Sequence, residues 1–112
     1  MNNFFEKRIN LEDSIIIVAK KEEEIIGYVY GYVRSDNKIK AELEAYIDSI
    51  YVLKDFRNNK IGTKLINEFI KLSKDKHVKY IFIDNKYNNK IASYLYTKLG
   101  FKNFIQTKRK EI

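Results

Sequence analysis

Arg57, Asn58, Asn59, Lys60 and Gly62, flanked by Lys54 and Lys64, form the segment of this chain best suited to chemistry. Basic and amide side chains around a glycine can hold a phosphate or pyrophosphate, provided a helix begins there. A helix starts with unpaired N–H groups and a partial positive charge, and a glycine lets backbone approach an anion closely. The flanks meet that condition. Ile47, Ile50, Tyr51 and Val52 suit a buried strand, whereas Ile61, Leu65, Ile66, Phe69 and Ile70 recur at the spacing of one apolar helical stripe. Asp48 to Leu65 therefore reads as strand, anion-binding turn, helix.

A second group is Glu42, Glu44 and Asp48, all at even positions of one strand and hence on one face unless a bulge shifts the pleat. A row of carboxylates could bind a cationic acceptor. A solvent face decorated with charge explains Glu42 and Glu44 nearly as well. Asp48 lies beside the anion-binding turn in the more apolar half of the strand, which favours a functional role. His77, the sole histidine, falls where the helix ends, among lysines. There it interacts favourably with the helix C-terminus, and a lone histidine without clustered partners argues against a metal.

The elements that would position these residues follow from periodicity and turn chemistry. Ser14–Lys20 and Ile25–Arg34 read as an antiparallel hairpin around the charged turn Lys21–Glu24. Asp36-Asn37-Lys38 forms the next turn, and Ala41–Val52 a long third strand. A helix over Lys60–Lys76 leads to a short strand, Val78–Asp84, parallel to the third in a right-handed crossover. Asn88 or Asn89 caps a second helix that ends at Gly100, a glycine suited to the left-handed C′ position with Phe101 folding back. Phe101–Thr107 is expected to be a final strand.

The turn Arg57-Asn58-Asn59-Lys60-Ile61-Gly62 resembles the acyl-CoA-binding motif of the GNAT superfamily of N-acetyltransferases: Gln or Arg, two variable residues, Gly, a variable residue, then Gly or Ala. Lys60 stands where the motif has its first glycine. Downstream, Asn89, Ala92, Leu95-Tyr96 and Leu99-Gly100-Phe101 resemble the family's second signature. The resemblance covers roughly residues 14 to 107. It implies an α/β fold built on a mixed α+β sheet, the GNAT-like acyl-CoA N-acyltransferase fold, truncated at the N-terminus. Only about thirteen residues precede Ser14, so most of the family's first strand and its helices would be absent. The strand Ile15-Ile16-Ile17 is then expected to be an open edge.

The implied reaction is direct attack of an amine on acetyl-CoA, with acetyl-CoA as co-substrate and no metal. The amine must lose a proton, the carbonyl oxygen must be stabilised, and the leaving thiolate must be protonated. By motif position Tyr96 is the acid facing the sulfur. Asp48 is favoured over Glu44 as the acceptor of the amine's proton. The resemblance assigns main-chain groups of Ile50, Tyr51 and Val52 to the oxyanion and pantetheine arm. It assigns Arg57, Asn58, Asn59, Lys60, Ile61, Gly62 and Thr63 to the pyrophosphate. Asn89 matches a residue bonding the pantetheine or phosphate region, and a helix cap is an equally good reading of it.

Composition bounds the rest. The 112 residues are expected to form one domain, and the net charge of +7 favours a polyanionic partner such as CoA. Nucleic acid would also fit the charge, but the basic residues are scattered and no nucleic-acid-binding motif appears. With no cysteine there are no disulfides and no thiol nucleophile, and MNNFFEKRIN lacks the apolar run of a signal peptide or membrane span. The expectation is a soluble, cytoplasmic N-acetyltransferase acting on a small cationic amine or an exposed amino group. The uncovered edge points to a homodimer. The alternatives are a catalytically silent acetyl-CoA-binding module, or a subunit completed by a partner chain.

Overall fold

Ile15, Ile17 and Ala19 are buried, while Ile16, Val18 and Lys20 between them are half-exposed, the period-two pattern of a strand with one covered face. In the computed structural model, which describes residues 5–11, 14–35, 42–84, 90–104 and 108–112, this strand is β2 (Ser14–Lys21). It follows β1 (Phe5–Leu11) and precedes β3 (Glu24–Ser35), β4 (Leu43–Val52) and β5 (Tyr80–Ile83). The strands lie in the order β1-β2-β3-β4-β5, antiparallel through β4 and parallel between β4 and β5. Helix α1 (Ile61–Asp75) makes the crossover between the parallel pair, and α2 (Lys90–Lys98) follows β5.

One face of the sheet is covered by α1. Its stripe Ile61, Leu65, Ile66 and Phe69 is buried with Ile15, Ile17, Ala19, Ile26, Val29, Val33, Ala45 and Ile47. Gly31 makes the closest approach possible: a Cβ there would stand 2.6 Å from the Phe69 ring. The helix ends in a Schellman turn. Val78 N–H bonds the Ser73 carbonyl and His77 N–H the Lys74 carbonyl, with His77 itself at φ 65°.

The opposite face is aromatic. Tyr32 stacks on Tyr46 at 5.3 Å between ring centres, Tyr46 on Phe82 at 5.0 Å, and Phe104 lies 5.5 Å from Phe82. Tyr28 and Tyr51, neighbours across β3 and β4, are exposed on the same face.

Two sequence expectations are corrected. Ile15-Ile16-Ile17 is not an edge, because β1 pairs along it through Asn10–Ile15, Ile9–Ile16 and Arg8–Ile17. β1 spans Phe5–Leu11, so a first strand forms within the short segment before Ser14, where most of it was expected to be absent. Residues 101–104 are not a strand either. Phe101 folds back on α2 through the helix-ending turn, and Phe104 is drawn to the Phe82 ring instead of to a ladder. The rest of that expected strand, residues 105–107, lies outside the described residues, as do the turn Asp36-Asn37-Lys38 and the caps Asn88 and Asn89. A single 3₁₀ turn, Lys54–Phe56, was not anticipated between β4 and the loop.

Candidate active site

The loop before α1 is built on two left-handed residues, Asn58 at φ 68° and Lys60 at φ 63°. Lys60 is the N-cap, and no side chain caps the helix there. The first helical bond runs from Lys64 N–H to the Lys60 carbonyl at 3.0 Å, so the N–H groups of Ile61, Gly62 and Thr63 have no intrahelical acceptor. A Cβ at Gly62 would meet nothing within 4 Å, and the backbone there is helical. Neither conformation nor packing requires a glycine at that point. Space held open at a helix N-terminus is what a closely bound pyrophosphate needs, and the residues fit that group.

Arg57 turns back from the loop. Its Nε donates to the Val52 carbonyl at 2.9 Å, and its guanidinium lies 5.5 Å from the Tyr51 ring centre. It thereby fixes the end of β4 relative to the loop.

Within β4 the register slips by one residue: Tyr30 pairs with Ser49 and Gly31 with Ile47, leaving Asp48 as the extra residue of a bulge. The slip reverses the phase of the strand. Ala45 and Ile47 point into the core before it, Ile50 and Val52 after it. Ser49 remains on the aromatic face, where its Oγ is 3.0 Å from the Tyr28 hydroxyl. The bulge coincides with the point where the parallel strands part, because β4–β5 pairing stops at Ile47–Ile83. Leu53 N–H bonds back to Ile26 at 2.8 Å, so by strand alternation the main-chain groups of Tyr51 point toward β3. Those of Ile50 and Val52 point the other way, toward the splay.

Between the separated strands lies a cleft of about 290 Å³ lined by Ile47, Asp48, Ser49, Ile50, Ile83, Asp84, Ala92 and Tyr96. Asp48 and Tyr96, expected as proton acceptor and donor, meet there. Tyr96 is half-buried, and that burial raises its phenol above the ordinary tyrosine pKa. The group is neutral, and able to donate a proton, throughout the physiological range.

Glu44 is not brought to the cleft. It accepts a 2.9 Å bond from the Tyr46 hydroxyl, beside Arg34 on the aromatic face. Glu42 pairs with Lys79 at 2.9 Å. Asp84 was missed by the sequence reading although it lines the cleft with Asp48. Its signal was positional: it follows the carboxyl end of a parallel strand, where open α/β sheets bind ligands. Asn89 lies outside the described residues. Among the described residues no group of three His, Cys, Asp or Glu could hold a metal, and no helix is long and apolar enough to cross a membrane.

A strand–loop–helix with an open N-terminus leads into a cleft between splayed parallel strands, and comparison with known proteins identifies the family. The profile of the acetyltransferase (GNAT) family matches residues 2–101, and the chain belongs to that family. Among solved structures it is similar to a transcriptional regulator from Bacillus halodurans C-125, with TM-score 0.81 and 22% identity, over 91% of this chain and 68% of that one. It is also similar to an aminoglycoside acetyltransferase from an uncultured soil metagenomic sample, with TM-score 0.76, 25% identity, and the same coverage of 91% and 68%. A third is AAC(6')-Iy in complex with the bisubstrate analogue CoA-S-monomethyl-acetylneamine, with TM-score 0.76, 20% identity, and coverage of 92% and 73%. The search of curated proteins gave no match.

Proposed function

We propose that the chain is an acetyl-CoA-dependent N-acetyltransferase that acetylates a primary amine of a small cationic molecule or peptide by direct attack. The observation that carries this reading is the meeting of Asp48, Asp84 and Tyr96 in one cleft, at the strand end that leads into the Gly62 loop. Acetyl-CoA supplies an activated acyl group. The N–H groups of Ile61, Gly62 and Thr63 hold its pyrophosphate, and the outward main-chain groups of Ile50 and Val52 face its pantetheine arm. A carboxylate at Asp48 or Asp84 takes the proton of the incoming ammonium. The amine nitrogen then bonds to the carbonyl carbon, the carbon–sulfur bond breaks, the Tyr96 phenol protonates the departing sulfur, and the second proton that the nitrogen gives up on becoming an amide restores the phenol.

The acceptor class is supported by what faces the cleft from the side that α1 does not cover. The Asp48 and Asp84 carboxylates and the Tyr96 ring suit a cation with hydrocarbon or sugar faces. The soil relative named as an aminoglycoside acetyltransferase is consistent with such an amine.

A panel of polyamines, aminosugars and lysine-bearing peptides, assayed for release of free CoA, tests the proposal. Turnover with at least one cationic amine is expected, and Tyr96→Phe should lower kcat by roughly 10- to 10⁴-fold with acetyl-CoA affinity kept. Tight acetyl-CoA binding without turnover on any amine would identify a silent binding module instead.

A further inference from the structure

Tyr96 sits in the last turn of α2, two residues from its end at Lys98, where helices ordinarily fray. A proton donor must be held within a fraction of an ångström of its working position, so something has to fix this one. Phe101 N–H bonds the Tyr96 carbonyl at 3.0 Å and Gly100 N–H bonds the Thr97 carbonyl at 3.0 Å, the two bonds of a Schellman motif. Gly100 adopts φ 97°, and a Cβ there would touch nothing within 4 Å, so the glycine serves backbone conformation alone. The chain reversal brings the Phe101 ring edge-on to the Tyr96 ring, with centres 6.2 Å apart and planes at 65°. Both side chains are half-buried against the core. A contact between these two positions is a common feature of the motif. Here one of the positions is the cleft's tyrosine.

We propose that Phe101 is a positioning residue for Tyr96, fixing the phenol at the cleft through its backbone bond and screening it from water with its ring. This rests on the reading of Tyr96 as the acid. The other titratable groups lining the cleft are Asp48 from β4 and Asp84 after β5. The raised titration of the phenol comes from its burial, the property that the Phe101 ring supports. The sign follows: with the Phe101 ring gone, water reaches the phenol and its titration falls toward the ordinary tyrosine value.

The test uses Phe101→Leu, which retains the backbone N–H and an apolar side chain, and Phe101→Tyr, which retains a ring. Protein carrying ¹³C-labelled tyrosine is titrated by NMR, with the Tyr96 signal assigned by its loss in Tyr96→Phe. Phe101→Leu should titrate at lower pH than wild type and lose roughly 3- to 30-fold in kcat with KM for acetyl-CoA unchanged. Phe101→Tyr should restore both, and in a Tyr96→Phe background Phe101→Leu should cost nothing further. An unmoved titration with unchanged kcat, or an equal loss in both backgrounds, would overturn the assignment. Full turnover in Tyr96→Phe alone would instead sink the reading of Tyr96 as acid, whereas the NMR shift would still report the positioning.

Discussion

Lys60 occupies a left-handed conformation at φ 63° in the place where the family's motif carries a glycine. That conformation is costly for any residue with a Cβ, by about 1–2 kcal/mol, which supplies the physical reason for the motif's first glycine. Lys60→Gly should therefore raise stability by about 0.5–1 kcal/mol in thermal or denaturant unfolding, with acetyl-CoA still bound. Gly62 is the opposite case, since the protein alone does not need a glycine there. Gly62→Val should fold normally yet weaken acetyl-CoA binding in calorimetric titration, and unchanged affinity would remove the loop from the site. The motif residues were legible in sequence because their backbone demands are local. Asp84 was not, because it read only as the last residue of the short strand Val78–Asp84. Only the parting of β4 and β5 brings it to Asp48. The pair yields its own expectation: Asp48→Asn and Asp84→Asn should each lower kcat, and whichever costs more, within about 10- to 10⁴-fold, identifies the proton acceptor. Full activity in the double variant would leave that proton to water.

The bulge in β4 links core and cleft at the level of elements. Apolar residues stand at Leu43, Ala45 and Ile47, then at Ile50 and Val52, so the change of phase was written in the sequence although its place at the cleft was not. Gly31 pairs with Ile47 beside the extra residue, and the Phe69 ring of α1 lies against it. The helix thus packs onto the sheet where β4 is re-aimed and separates from β5. Gly31→Ala forces the Phe69 ring or the strand to move, and should destabilise the fold by about 1–3 kcal/mol in denaturant unfolding. Because the displaced strand carries Asp48 and Ile50, turnover should fall further than the loss of folded protein accounts for. Phe69→Leu in the same chain relieves only the ring contact and leaves the tighter one with the Tyr46 carbonyl oxygen of β4, so it should recover little of either loss. Stability lost with kcat per folded molecule unchanged would separate the core from the cleft. The helix ends were readable for a related reason: Gly100, and His77 after a basic turn, mark local terminations. β1 was not readable, since FEKRINL has little alternation and its identity as a strand depends on pairing with β2.

At the scale of the whole molecule, the described residues cover the two sheet faces unequally. Helix α1 seals one, while the other presents Ile16 and Val18 from β2 and Tyr28 and Tyr30 from β3, beside the stacked rings around Tyr46. A contiguous apolar surface rich in tyrosine marks a place of interaction rather than a solvated face. The homodimer expected from the sequence rested on an open β2 edge, which β1 occupies. We propose that two copies meet through the β2–β3 half of the aromatic face, with the β4–β5 half beside the cleft left to the acceptor. A second copy seated there would form one wall of the acceptor's approach, so association and acceptor binding should be coupled. Sedimentation at micromolar concentration is expected to give a dimer, and Val18→Lys, with its fold checked by circular dichroism, a monomer. The monomeric variant should keep acetyl-CoA affinity, because the Gly62 loop lies on the side of α1, but should show a raised KM for the amine. A wild-type monomer with full activity would assign the aromatic face to the acceptor alone.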